Sequence, residues 1–233
     1  GPGDGPGRVH DPQRALGVRA LLEAMQAEAG RGAMDVDLPV YQAYGKDPTW
    51  PILLGSGRLS APVGLFGRDP GRTEVELGEP FIGKGGQLIR DGLHRARFGS
   101  SCPDLAASIQ IGRDLFWCNT VPYKPTGNKA WSVAVKRRFL PHIQASLLAW
   151  KGQDLLTLGN VAFDWFRLAD KRLKPALVEF WARDDRYQAS LEVQLSGKTI
   201  RLHPLPHPSP LNARWYPLFP GLLDARLKSL GWT

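Results

Sequence analysis

Between Pro12 and Ala29 the apolar positions Leu16, Ala20, Leu21, Ala24 and Met25 recur at helical spacing, and Gly30 ends the run, so a helix is expected there. Residues 31–60 mix Gly, Pro and Asp with short apolar pieces and read as irregular. After that, two periods alternate. PVGLFG (62–67) is an apolar run closed by a turn, the mark of a buried strand, whereas GGQLIRDGLHRARFG (85–99) puts Leu88, Ile89 and Leu93 on one helical face. RDLFWCNT (113–120) is the strongest strand signal. AWSVAVKRRFL and PHIQASLLAW (130–150) read as one helix kinked or broken at Pro141. DLLTLGN (154–160) is another buried strand, with Gly159 or Asn160 opening a helix through Phe166. LEVQLSGKTIRLHPLPHP (191–208) reads as a hairpin, or an edge strand followed by the last core strand. Leu218, Leu222, Leu223, Leu227 and Leu230 mark a closing amphipathic helix.

Strands alternating with helices predict an α/β layered domain built on a mostly parallel sheet, in which ligands bind outside the carboxyl ends of the strands. Three of the expected strands run into polar residues. LFG leads to Arg68-Asp69-Pro70-Gly71, LFWCN ends at Asn119, and IRLHPLP leads to His207. A parallel sheet would bring a carboxylate, an amide and an imidazole to one edge.

Composition narrows the class. With 233 residues, 42% of them apolar, one well-packed domain is expected, spanning 11–233 behind a flexible tail at 1–10. No run of about 18 apolar residues predicts a membrane span, and no secretory signal pattern opens the chain. The two cysteines, Cys102 and Cys118, are too few for a disulfide scaffold and suit a reducing cytoplasm. Lys plus Arg exceed Asp plus Glu by 30 to 22, for a formal charge of +8, which biases the chain toward polyanions and nucleic acid first.

HPSPLN (207–212) resembles the His-Pro-Ser loop of the uracil-DNA glycosylase superfamily, and GRDPG (67–71) is similar to its first motif, GQDPY. GEPFIGKGGQLI (78–89), CNTVPYKPTGN (118–128) and LLTLGNVA (155–162) look instead like segments of the iron–sulfur-containing branch. Five motifs in order cover roughly residues 63–232. The resemblance implies a three-layer α/β/α fold around a central, mostly parallel four-stranded sheet. Departures are equally informative. One cluster-ligand position falls on Tyr123 and no cysteine precedes Cys102, so no iron–sulfur cluster, metal or other cofactor is expected. Arg68 stands where that branch carries an acid, and Gly71 replaces the tyrosine that blocks the thymine methyl in GQDPY enzymes.

On this resemblance the chain is a monofunctional glycosylase that extrudes uracil from single- or double-stranded DNA and hydrolyses its N-glycosidic bond. Asp69 would stabilise the cationic sugar and orient water, and His207 would donate to the uracil O2 as charge builds there. Asn119 matches the uracil O4 and N3–H edge, Phe81 offers a stacking face, and Gly67 and Arg68 complete the base site. DNA contacts would come from Lys84, Gly85 and Gly86, and from Ser209, Pro210, Leu211, Asn212 and Arg214, with Leu211 as the wedge into the vacated stack. Lys124, Lys129 and the KRR run (136–138) are candidates for a wider basic surface, although for KRR a solvated helix face is the plainer reading. The expected protein is a monomer in the cytoplasm, associated with the nucleoid. Two alternatives stand beside it. One is a damaged-DNA-binding or product-trapping homologue in which Arg68 neutralises Asp69, and the other a glycosylase for hypoxanthine or xanthine. The GKGG segment lacks the GxxxxGK[ST] spacing of a nucleotide triphosphate site, and no GxSxG elbow points to an α/β hydrolase.

Overall fold

In the computed structural model, which describes residues 12–233, five strands form one sheet in the order β2-β1-β3-β5-β4. The expected tail at 1–10 lies outside the described residues. Along the chain come α1 (Pro12–Gly30), α2 (Leu38–Ala43), β1 (Val63–Gly67), α3 (Arg72–Leu77), α4 (Lys84–Phe98) and α5 (Leu105–Gly112). They are followed by β2 (Phe116–Asn119), α6 (Val133–Ala149), β3 (Asp154–Leu158), α7 (Gly159–Asp164), α8 (Phe166–Ala169) and α9 (Lys174–Trp181). A hairpin of β4 (Leu191–Leu195) and β5 (Lys198–Leu205) and the closing helix α10 (Phe219–Ser229) complete the fold.

The sheet has five strands rather than the four implied by the resemblance. β2, β1, β3 and β5 are parallel, and β4 is added antiparallel to β5 at the edge. The physical reason is the turn at Ser196-Gly197, both with positive φ, which folds LEVQL back on the last core strand. The inner strands are apolar because both faces are covered. Phe66, Phe116, Cys118, Leu155, Ile200 and Leu202 face a layer that includes α1 and α6 to α9, whereas Leu65, Trp117, Leu156, Leu158 and Leu205 face α4, α5 and α10. This is the expected three-layer α/β/α arrangement. No helix among the described residues is long and apolar enough to cross a membrane.

One helix expectation is narrowed and another corrected. α6 is not broken at Pro141 but runs unbroken from Val133 to Ala149, started by Ser132, whose hydroxyl accepts from Val135 N–H at 3.2 Å. Phe139, Ile143 and Leu147 are fully buried along one face. Burying three such side chains contributes about 1.5–3 kcal/mol each, enough to carry the helix past one missing donor. Residues 31–60 are irregular apart from the single helix α2, in which Val40 and Tyr41 are buried.

Candidate active site

The register of the sheet places its functional loops. Gly67 pairs with Asn119 and Leu158 with Leu205, so the carboxyl ends of all four parallel strands open on one edge. A cleft of about 330 Å³ lies there, bounded by Asp69, Phe81, Asn119 and His207, with residues 83–86 and 208–210 at its rim. The three segments expected to converge therefore do so.

Asp69 follows β1, and its side chain is only 6% exposed. Burial pushes its carboxyl above the ordinary range, and the neighbouring Arg68 guanidinium opposes that rise. Arg68 Nε donates to Asp69 Oδ2 at 2.9 Å, and Nη2 reaches the Asn128 carbonyl at 3.1 Å. His207, on the loop after β5, presents its ring to the open cleft. Surrounding protein lowers its proton affinity, with the Arg68 charge acting in the same direction, so the imidazole is neutral near pH 7. Gly159 makes room for it: a Cβ there would stand 3.2 Å from the His207 Cβ, and Gly159 has φ +75°.

Asn119 closes the floor of the cleft. The residue is 1% exposed, yet its Oδ1 has no hydrogen-bond partner. A buried unpaired acceptor is costly, by about 1–3 kcal/mol, and such atoms in a concave site commonly await a ligand donor. Phe81 stands next to it. Its ring edge lies where a Gly67 side chain would be, 2.5–2.6 Å from a Cβ built on that glycine, and it stacks on Trp117 with centroids 5.5 Å apart.

Phe81 adopts φ +49°, a left-handed backbone that a bulky residue takes only under constraint. The constraint is Arg90. Buried to 1% exposure, its guanidinium donates to the carbonyls of Pro80 (2.7 Å), Phe81 (2.6 Å) and Ser108 (2.7 Å) and lies over the Trp117 ring. Glu74 provides a second staple: Oε1 accepts from Gly71 N–H at 2.8 Å, and Oε2 from Ile82 N–H at 2.9 Å and Gly83 N–H at 2.5 Å. One carboxylate thus ties the Asp69 turn to the Phe81 loop. Sequence reasoning passed over both residues. Glu74 carried a usable signal, an acid three residues after the cap Gly71, whereas Arg90 inside a helix carried none.

Gly86 lies directly beneath Phe81, and a Cβ there would overlap the Phe81 carbonyl. Gly86→Ala is expected to destabilise the protein by about 1–3 kcal/mol, because rigid backbone rather than a flexible side chain must move. Thermal denaturation checks this, and an unchanged melting temperature would contradict the packing described.

The rim joins two of the expected DNA loops. α4 begins at Lys84, which is exposed, and a Cβ on Gly85 would come within 2.6 Å of the Pro208 carbonyl, so these loops touch. The 207–212 loop is tightly wound: Ser209 N–H and Asn212 Nδ2 donate to the His207 carbonyl, and the Ser209 hydroxyl accepts from Leu211 N–H. Leu211 at its tip is 89% exposed, with Pro210 exposed beside it. Arg214 is exposed, its guanidinium 4.8 Å from the Trp215 ring centroid.

Lys124 does not belong to the free basic surface. It lines the cleft, but its ammonium donates to Asp37 Oδ2 (2.8 Å) and to the carbonyls of Pro125 and Gly127 (3.0 and 3.1 Å), which uses all three protons. Within the KRR run, Arg138 is drawn to α1, donating to the carbonyls of Glu28 and Gly32, while Arg137 and the separate Lys129 remain exposed. Cys118 is packed in the sheet, and burial pushes its thiol well up, so it acts as core.

Comparison with known proteins adds two findings. The family model described as "Uracil DNA glycosylase superfamily" matches residues 54–231. The "Type-4 uracil-DNA glycosylase" of Pyrobaculum aerophilum is 27% identical over 108 residues, 46% of this chain and 49% of that protein. The chain thus spans about half the length of the curated relative it matches.

Proposed function

Because the chain belongs to the uracil DNA glycosylase superfamily, we propose that it is a monofunctional uracil-DNA glycosylase that flips uracil from DNA and hydrolyses the N-glycosidic bond, leaving an abasic site. The observation that carries this reading is the Asn119 Oδ1, buried and unpaired in the cleft that also holds Asp69 and His207. Uracil N3–H supplies the donor this oxygen lacks, and the Asn119 amide N–H in turn suits uracil O4. Cytosine offers the opposite pattern and would leave both atoms unsatisfied, a mismatch that can discriminate by about 10⁴–10⁵.

Catalysis then follows from charge. As the bond breaks, positive charge develops on the sugar and negative charge on the departing base. Asp69 stabilises the first and orients water, while the neutral His207 donates to O2 as the second builds. Phe81, held from below by Arg90, stacks on the flipped base. Leu211 fills the gap in the helix, and Lys84, Arg214 and the amides at Gly85 and Gly86 take phosphates. Of the two lysines lining the cleft, Lys124 is saturated and Lys84 stands exposed at the start of α4, where it meets phosphate rather than the sugar; the proposed enzyme therefore leaves the strand uncut.

The donor set does not fit an iron–sulfur cluster. The chain holds two cysteines, one packed within the sheet, and Tyr123 at the expected ligand position is buried with its hydroxyl donating to the Thr49 carbonyl at 2.7 Å. The proposed reaction uses no cofactor, and the protein acts as a monomer in the cytoplasm.

One observation favours a second reading. The contact between Arg68 and Asp69 could neutralise the carboxylate, giving a protein that binds damaged DNA or traps product without turnover. Incubation with single- and double-stranded oligonucleotides carrying one uracil, followed by alkali, separates the two; parallel substrates carry hypoxanthine or xanthine. Cleavage at uracil only after alkali is expected. Intact strands together with tight binding would favour the second reading, and release of a purine alone would reassign the substrate.

A further inference from the structure

Arg68 extends from the end of β1 across the cleft and is fixed at three acceptor atoms. Nε meets Asp69 Oδ2 at 2.9 Å, Nη2 meets Asp69 Oδ1 at 3.4 Å, and Nη2 also meets the Asn128 carbonyl at 3.1 Å. The guanidinium lines the same cleft as His207. We propose that Arg68 is a positioning residue for both catalytic groups at once: its single fixed cation keeps Asp69 an oriented anion and His207 an uncharged donor. The proposal rests on the glycosylase reading, because hydrolysis through a cation-like sugar needs those two charge states together.

The cleft sets a conflict that this cation resolves. An almost enclosed carboxylate tends to take up a proton, and burial does push Asp69 in that direction, with Arg68 the largest opposing influence. For His207, whose ring stays open to the cleft, partial desolvation by the surrounding protein is the main cause of its lowered proton affinity, and the Arg68 charge is the other. A nearby positive charge disfavours protonation of either group, so both effects have the same sign. Other charged groups face the site. Lys124 and Lys136 also act on Asp69, but Lys124 is paired to Asp37, and Lys136 is only partly buried and influenced by Asp164 and Arg167 as well. Glu74 is engaged by the three backbone amides at 71, 82 and 83. Arg68 is the cation in contact with the carboxylate, and a guanidinium keeps its charge across the working pH range while its planar fork fits two carboxylate oxygens.

The test compares wild type, Arg68→Gln and Arg68→Lys in two ways. Base release from a uracil oligonucleotide is followed from pH 5 to 9 under single turnover. The Asp69 carboxyl carbon and the His207 ring are titrated by NMR in labelled protein, assigned against Asp69→Asn and His207→Gln. In Arg68→Gln both midpoints are expected to move up. Its rate should fall roughly tenfold below wild type at pH 5.5 yet stay within about threefold at pH 8.5, since losing the cation favours protonation of the carboxylate and this matters only toward acid pH. Arg68→Lys should restore part of both shifts. Unmoved midpoints overturn the proposal, as does movement of only one of the two, and a rate loss uniform across pH with both unmoved marks Arg68 as a DNA contact instead. The midpoints are read without DNA. If they shift while wild type releases no base, the glycosylase reading fails and the role of Arg68 over the two groups stands.

Discussion

Asp69→Asn is expected to lower the single-turnover rate of base release by about 10³-fold, near 4 kcal/mol of lost transition-state stabilisation. The amide keeps the shape of the carboxylate but removes the charge, and in so enclosed a position that charge is little screened by water. Folding should be nearly unaffected, because Arg68 retains the Asn128 carbonyl and partial exposure at the cleft mouth. DNA binding should hold or tighten slightly, since an anion has been taken from a surface that meets phosphates. Alkali cleavage measures the rate and fluorescence anisotropy the binding. A rate within tenfold of wild type, with normal binding, would remove Asp69 from the chemistry.

His207→Ala is expected to cost about 10²–10³-fold, the range found when a donor to developing negative charge is lost. The ring stands over Gly159 on a loop braced by Pro206, Pro208 and Pro210, so little motion can bring another donor into its place. His207→Gln should recover part of the loss, because an amide N–H can donate to the same oxygen without carrying charge. Its proton affinity is already lowered, so the wild-type rate should show no step near the ordinary histidine value. If alanine and glutamine behave alike, the ring serves packing rather than proton donation.

Much of this arrangement was legible before coordinates. The four parallel strands are covered on both faces and therefore appear as apolar runs, and helices α1, α4 and α10 are long enough for their periodicity to register. The strand ends at Asp69, Asn119 and His207 were visible as polar residues interrupting those runs. Short helices were not: α2 and α3 have six residues each, fewer than two full turns, and show no readable period. Lys124 was misread because its partner Asp37 lies 87 positions away, and only folding shows that the ammonium is spent.

The chain's own order of residues therefore determined which side chains could do chemistry and that a parallel sheet would gather them, since strand direction and burial are written in local pattern. The charge state and aim of those side chains were decided by tertiary structure. Arg68 beside Asp69, Arg90 beneath Phe81, Glu74 across two loops and the unpaired oxygen of Asn119 all depend on partners brought together through space, and electrostatic and hydrogen-bond energies depend on distance and burial rather than on position along the chain.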